Sequence, residues 1–93
     1  MKKKVHIFLF DGFSDWEIAF LSPELSKSAD FVPFYFTVDG SPVTSMGALR
    51  VSPDSALKDI DVDEVDTLVL PGGTAWEKGE NGEISSLVQE LLE

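Results

Sequence analysis

Apolar residues fall in short blocks with sharp polar punctuation between them. Residues 5–10, Val-His-Ile-Phe-Leu-Phe, are nearly all apolar, the pattern of a central parallel strand covered on both faces. Residues 67–70, Thr-Leu-Val-Leu, repeat that pattern and stop abruptly at Pro71-Gly72-Gly73. They predict a second strand buried on both faces. The glycine pair is expected to adopt backbone conformations closed to other residues and to leave bare N–H groups at the strand's carboxyl end. Residues 31–38 alternate, with Phe34, Phe36 and Val38 against Tyr35 and Thr37, and predict a third strand. Asp39-Gly40 follows between two β-like runs and signals a hairpin. A short extended piece is expected at 49–52, with Pro42 and Pro53 placing these strands at a sheet edge.

The period changes to 3.6 in two places. Trp16, Ile18, Ala19, Phe20, Leu21 and Leu25 give a broad apolar helical face, with Ser14 or Asp15 as its cap. Pro23 costs an interior helix about 3 kcal/mol, so a break near Ser22 and a restart to about Ser28 are expected. Ile84, Leu87, Val88, Leu91 and Leu92 are spaced i, i+3, i+4, i+7, i+8 and predict a helix over 81–92 capped by Asn81. Residues 54–60 suggest one helical turn capped by Asp54. Residues 61–66 form an acidic connector, which lacks the glycine and glutamate spacing of a calcium loop.

Strands alternating with helices define an α/β class. The last helix has no glycine, proline or basic stop signal, and no strand follows to receive its crossover. The expectation is therefore the N-terminal part, residues 1–93, of a single larger domain. Residues 67–70 would then have one unpaired edge, and such an edge recruits another chain. A homo-oligomer or a complementary C-terminal half is the expected partner.

Composition narrows the function. The chain has 93 residues, is 43% hydrophobic and carries a formal charge of −10. A surface this acidic disfavours nucleic acid and anionic membrane. No cysteine is present, which removes disulfides, thiolate metal sites and a cysteine nucleophile from these residues. The apolar run after Lys2-Lys3-Lys4 is too short for a signal peptide, and a cytoplasmic location is expected. No metal or cofactor is expected.

Two loops follow the predicted parallel strands, one over 11–17 and one over 71–77. If the strands are neighbours, the loops face each other across a crevice. The first offers the carboxylates of Asp11, Asp15 and Glu17; the second offers Gly72 and Gly73 N–H groups, Thr74 and Trp76. A carboxylate beside backbone donors is raw material for hydrolysis. A nucleophile is missing. Neither Ser14 nor Thr74 lies in a Gly-x-Ser-x-Gly elbow, and the lone His6 sits at the far end of its strand and reads as structural. On spacing alone Glu17 is equally an ordinary surface acid, Gly72-Gly73 an ordinary tight turn, and Trp76 a lid over the core.

The stretches Val5-x-Ile-Phe-Leu-Phe-Asp-Gly-Phe-x-Asp-Trp-Glu17, Asp39-Gly-x-Pro-Val-Thr-Ser-Met-Gly47 and Leu68-Val-Leu-Pro-Gly-Gly-Thr-Ala-Trp-Glu77 together resemble the ThiJ/PfpI superfamily. The resemblance implies a flavodoxin-like three-layer parallel sheet of the class I glutamine amidotransferase-like type, with an edge hairpin. It implies intracellular protease, amidase or related carbonyl chemistry through a cysteine on a later nucleophile elbow. Glu17 matches the glutamate that shares a proton with that cysteine, and Gly73 matches the oxyanion-hole N–H. Asp15, Gly72, Thr74 and Trp76 become expected substrate contacts. The cysteine and its histidine have no counterpart here, so the chain alone is expected to be inactive on a small-molecule or peptide substrate. The alternative is a non-catalytic ligand-sensing or interaction module of the same fold. A receiver-type signalling domain fits less well, because Leu70-Pro71 occupies the place of its phosphoacceptor aspartate.

Overall fold

A computed structural model describes residues 2–92. Four strands, β1 (Lys3–Phe8), β2 (Phe31–Thr37), β5 (Ser55–Ala56) and β6 (Thr67–Val69), form one parallel sheet in the order β5-β2-β1-β6. Strands β3 (Val43–Thr44) and β4 (Arg50–Val51) make a separate antiparallel pair. Helices α1 (Asp15–Lys27), α2 (Thr74–Glu77) and α3 (Ser85–Leu92) complete the chain. This is the flavodoxin-like α/β arrangement that the sequence predicts. No helix among the described residues is long and apolar enough to cross a membrane.

Strand β1 is central because its apolar run can be covered on both faces. Ile7 and Phe8 are fully buried. His6, Phe8 and Phe10 face the aromatic cluster of Phe34, Phe36 and Trp76. Leu9, with Tyr35, faces α1. The ladder runs from Lys3 to Phe8 rather than to Phe10, although the Leu9 N–H still donates to the Phe36 carbonyl at 2.9 Å.

Several local expectations are corrected. Helix α1 runs unbroken through Pro23. The carbonyl that loses its partner belongs to Ala19, and both residues are exposed, so water can satisfy it. The broad apolar face of α1 is not all buried: Ile18, Leu21 and Leu25 pack against the core, while Trp16 is 57% and Phe20 81% exposed. Ser14 takes the N-cap position but its side chain makes no capping bond.

Asp39-Gly40 does not close a hairpin. Strand β2 already has β1 and β5 on its two sides, so the turn only carries the chain away, with the Asp39 carboxylate accepting from Ser41 N–H. The real hairpin joins β3 and β4, closed by Ala48 at φ 69° and by Ser45 N–H donating to the Leu49 carbonyl. It lies off the main sheet, not at its edge. Asp54 caps no helix; its carboxylate accepts from Tyr35 N–H at 2.9 Å, and Ser55–Ala56 then pair with β2. The helical turn shrinks to a 3-10 turn at Leu57–Asp59. Asn81 likewise makes no side-chain cap, and a 3-10 turn at Gly82–Ile84 precedes α3.

Strand β6 differs most from its expected burial. It pairs with β1 alone; Thr67 and Leu70 are exposed and Leu68 and Val69 only half-buried. It is an edge strand in this sheet, and its free side opens onto an apolar groove of about 310 Å³ lined by Val65, Leu68, Leu70, Val88 and Leu91.

Candidate functional site

Because β1 and β6 are parallel neighbours, the loops at their carboxyl ends meet. Phe13 and Gly73 form an antiparallel bridge, and Ser14 N–H donates to the Gly72 carbonyl at 2.9 Å. The first turn of α1 then aims Glu17 back across the crevice. Its Oε1 accepts from Gly72 N–H at 3.1 Å. An exposed acid on spacing is thus a carboxylate fixed against the glycine turn. The Gly73 N–H takes no part in the bonds that join the loops.

Space, not backbone conformation, favours glycine at both positions, and strictly so only at Gly73, contrary to the expectation from sequence. Neither lies in the left-handed region; Gly73 is extended, at φ 163°. A Cβ at Gly73 would lie 2.7 Å from the Phe10 ring and 2.9 Å from the Gly12 carbonyl oxygen. One at Gly72 would lie 2.8 Å from Glu17 Oε2. The Glu17 carboxylate sits where any side chain at Gly72 would stand.

Trp76 is a lock rather than a free platform. Its Nε1–H donates to the Pro71 carbonyl at 2.8 Å, and its ring packs edge-on against Phe10 and Phe8. Thr74 is exposed at the start of α2. His6 lies in the middle of β1, paired with Phe34 and Leu68, and not at the strand's far end as its place in the sequence suggests. It is buried, and burial first, then the Lys4 charge, hold its imidazole below the ordinary histidine range.

Asp15 does not join Glu17. Its carboxylate accepts from Ser45 Oγ–H at 2.5 Å and Gly47 N–H at 2.8 Å, both on the hairpin side. The Ser45 hydroxyl chiefly holds the Asp15 carboxyl below the usual range; burial opposes this and Gly47 N–H assists it. Asp11 reaches the same hairpin, accepting from Thr44 N–H at 2.9 Å. Gly12 N–H donates to the Thr44 carbonyl and Met46 N–H to the Phe13 carbonyl. Ser45, buried beneath this clasp, is the residue sequence reasoning missed. Its signal was the polar Thr44-Ser45 pair directly after Val43 in the hairpin.

The fold and crevice define a parallel α/β protein with a carboxylate and backbone donors at the carboxyl ends of adjacent strands. The DJ-1/PfpI family model matches residues 3–93, and the chain belongs to that family. It is 30% identical over 81 residues to the uncharacterized protease YoaZ of Bacillus subtilis (strain 168), covering 80% of this chain and 39% of that protein. The DJ-1 superfamily protein Atu0886 of Agrobacterium tumefaciens is 38% identical, with a TM-score of 0.85 over 96% of this chain and 47% of that one. A thiJ/pfpI family protein of Bacillus anthracis is 29% identical, also at 0.85, over 99% of this chain and 47% of that one. The chain thus spans less than half the length of these relatives.

Proposed function

We propose that this chain supplies the carboxylate and oxyanion side of a hydrolytic or amidotransfer site, whose nucleophile is a thiol contributed from outside these 93 residues. The observation that carries the reading is the Gly72 N–H to Glu17 Oε1 contact. It holds a carboxylate beside Gly73 at the carboxyl ends of β1 and β6. Glu17 would share the thiol's proton and so set the thiolate population. The Gly73 N–H would donate to the oxygen that gains charge when the thiolate attacks an amide or related carbonyl. Asp15, bound to the hairpin, supports this site at one remove, and Trp76 holds the Pro71 turn. The protease name carried by the Bacillus subtilis relative agrees with a hydrolytic reading.

The same reading gives the free edge of β6 and its groove to a complementary half or a second copy. Alone, the chain should not turn over amide or ester substrates. Mixed with the C-terminal half of the Agrobacterium relative, it should gain activity, and Glu17→Gln should lower that activity by about 100-fold, the range for losing a positioned proton-transfer group. Turnover by the 93-residue chain alone would contradict the assignment of the nucleophile.

A further inference from the structure

Two consecutive peptide groups make up the Pro71-Gly72-Gly73 turn, and neighbours hold each of them from outside. The peptide bonds are trans, so within each group the carbonyl and the N–H point opposite ways. In the first group the Pro71 carbonyl accepts from Trp76 Nε1–H at 2.8 Å, and the Gly72 N–H donates to Glu17 Oε1 at 3.1 Å. In the second the Gly72 carbonyl accepts from Ser14 N–H at 2.9 Å, which turns the Gly73 N–H away from Ser14. Trp76 and Glu17 thus hold the two ends of one amide.

The Trp76 end is the rigid one. Pro71 is fully buried, and its ring locks φ. The indole packs edge-on against Phe8 and Phe10, and the Phe10 ring leaves no room for a Cβ at Gly73. Trp76 N–H also donates to the Gly73 carbonyl at 3.3 Å, so one residue holds the turn at its start and its finish. Glu17, at the other end of the amide, is exposed, and the Gly72 N–H is the donor that fixes it. A half-buried indole N–H needs some acceptor. Here the acceptor is the carbonyl directly across the peptide from the Glu17 bond. A donor on an amide carbonyl draws charge toward the oxygen and makes the N–H across the plane a better donor. The partner of that N–H is a carboxylate, which forms the stronger kind of hydrogen bond.

We propose that Trp76 is a positioning residue for Glu17: its indole N–H acts through the Pro71–Gly72 peptide to hold the Glu17 carboxylate against the glycine turn. Its value to catalysis rests on the proton-sharing role proposed for Glu17, while the relay itself lies within these residues. Trp76 then serves the substrate without touching it.

The test replaces Trp76 by 3-benzothienylalanine, which keeps the bicyclic shape and lacks the N–H, and by 5-fluorotryptophan, which keeps the shape and is a stronger donor. Both are made in Trp16→Phe, so that only position 76 changes. Exchange of the Gly72 and Ser14 amide protons with water is read by NMR. The benzothienyl chain should exchange Gly72 about threefold faster, as for a charge-assisted bond that loses one cooperative partner. The fluorinated chain should exchange it more slowly, and Ser14 should not change in either. In Glu17→Ala the two analogues should exchange Gly72 alike, because the acceptor that Trp76 serves is gone. Trp76→Phe, joined with the C-terminal half of the Agrobacterium relative, should lower kcat and leave KM unchanged. Gly72 exchange that ignores both analogues, equal changes at Gly72 and Ser14, analogue effects that persist in Glu17→Ala, or a raised KM with kcat unchanged would overturn the proposal. Exchange needs no thiol, so it decides the relay even where the reconstituted protein proves inactive and the hydrolytic reading fails.

Discussion

Asp15 and Glu17 sit two residues apart in the first turn of one helix and serve opposite sides of the molecule. Asp15 reaches the hairpin and closes two hydrogen bonds that hold Ser45 and Gly47. Glu17 reaches the Pro71-Gly72-Gly73 turn and takes one N–H there, with its remaining acceptor sites open. The hairpin side is a clasp, since its polar groups are spent on each other. The glycine side is the proposed site, since it presents the Glu17 carboxylate and the Gly73 N–H, which takes no part in joining the loops. Side-chain type does not separate the two roles; the supply of partners does.

The strongest way to strain this contrast is on the glycine side. Gly73→Ala should cost about 3 kcal/mol, the upper part of the overpacking range, because the new methyl meets the Phe10 ring and the Gly12 carbonyl oxygen, neither able to retreat. Gly72→Ala should cost only about 1 kcal/mol, since its methyl meets the end of the flexible Glu17 side chain, which can swing aside. Urea denaturation of both variants checks the order.

On the clasp side, Asp15→Ala should speed amide hydrogen exchange at Gly47 and Leu49, because the Asp15 carboxylate accepts from Gly47 and positions the Ser45 hydroxyl that accepts from Leu49. Asp15→Asn, which keeps an acceptor oxygen, should do so less.

Acid separates the same groups. The folded Asp15 pKa lies below its unfolded value of 3.8, so its contribution is full above that value and is lost as pH falls through the folded one. His6 also has a lowered folded pKa, from an ordinary 6.5. Its neutral form is the folded one, so stability declines as pH falls below 6.5, before Asp15 acts. In His6→Phe the upper part of the pH–stability curve should flatten; in Asp15→Asn the lower part should.

The smallest effect on stability belongs to Glu17→Gln. Glu17 is exposed and glutamine can still accept from Gly72 N–H, so thermal unfolding should shift by no more than the equivalent of about 0.5 kcal/mol.

Much of this architecture was legible in the sequence. Continuous apolar runs marked β1 and the strand before Pro71, and helical spacing marked α1 and the last helix. The adjacency of the two loops followed from strand parallelism once β1 and β6 were neighbours. What failed was local and has tertiary causes. Pro23 is tolerated because the carbonyl it orphans faces water. Asp39-Gly40 makes no hairpin because both edges of β2 are occupied. Trp16 and Phe20 share a helical period with core residues, yet periodicity alone could not say how much of that face is covered. Asp15 and Glu17 were indistinguishable as neighbouring carboxylates until their partners, 30 and 55 residues further along the chain, were in place.

The division of labour between these two carboxylates is tested most directly by measuring Glu17→Gln and Asp15→Asn side by side. Each variant would be assayed for acid stability alone and for turnover after reconstitution with the C-terminal half of the Agrobacterium relative. The account predicts that Glu17→Gln keeps its stability and loses turnover, while Asp15→Asn loses acid-sensitive stability and keeps most of its turnover. Equal losses of turnover in the two variants, or a Glu17→Gln protein that remains fully active, would contradict it.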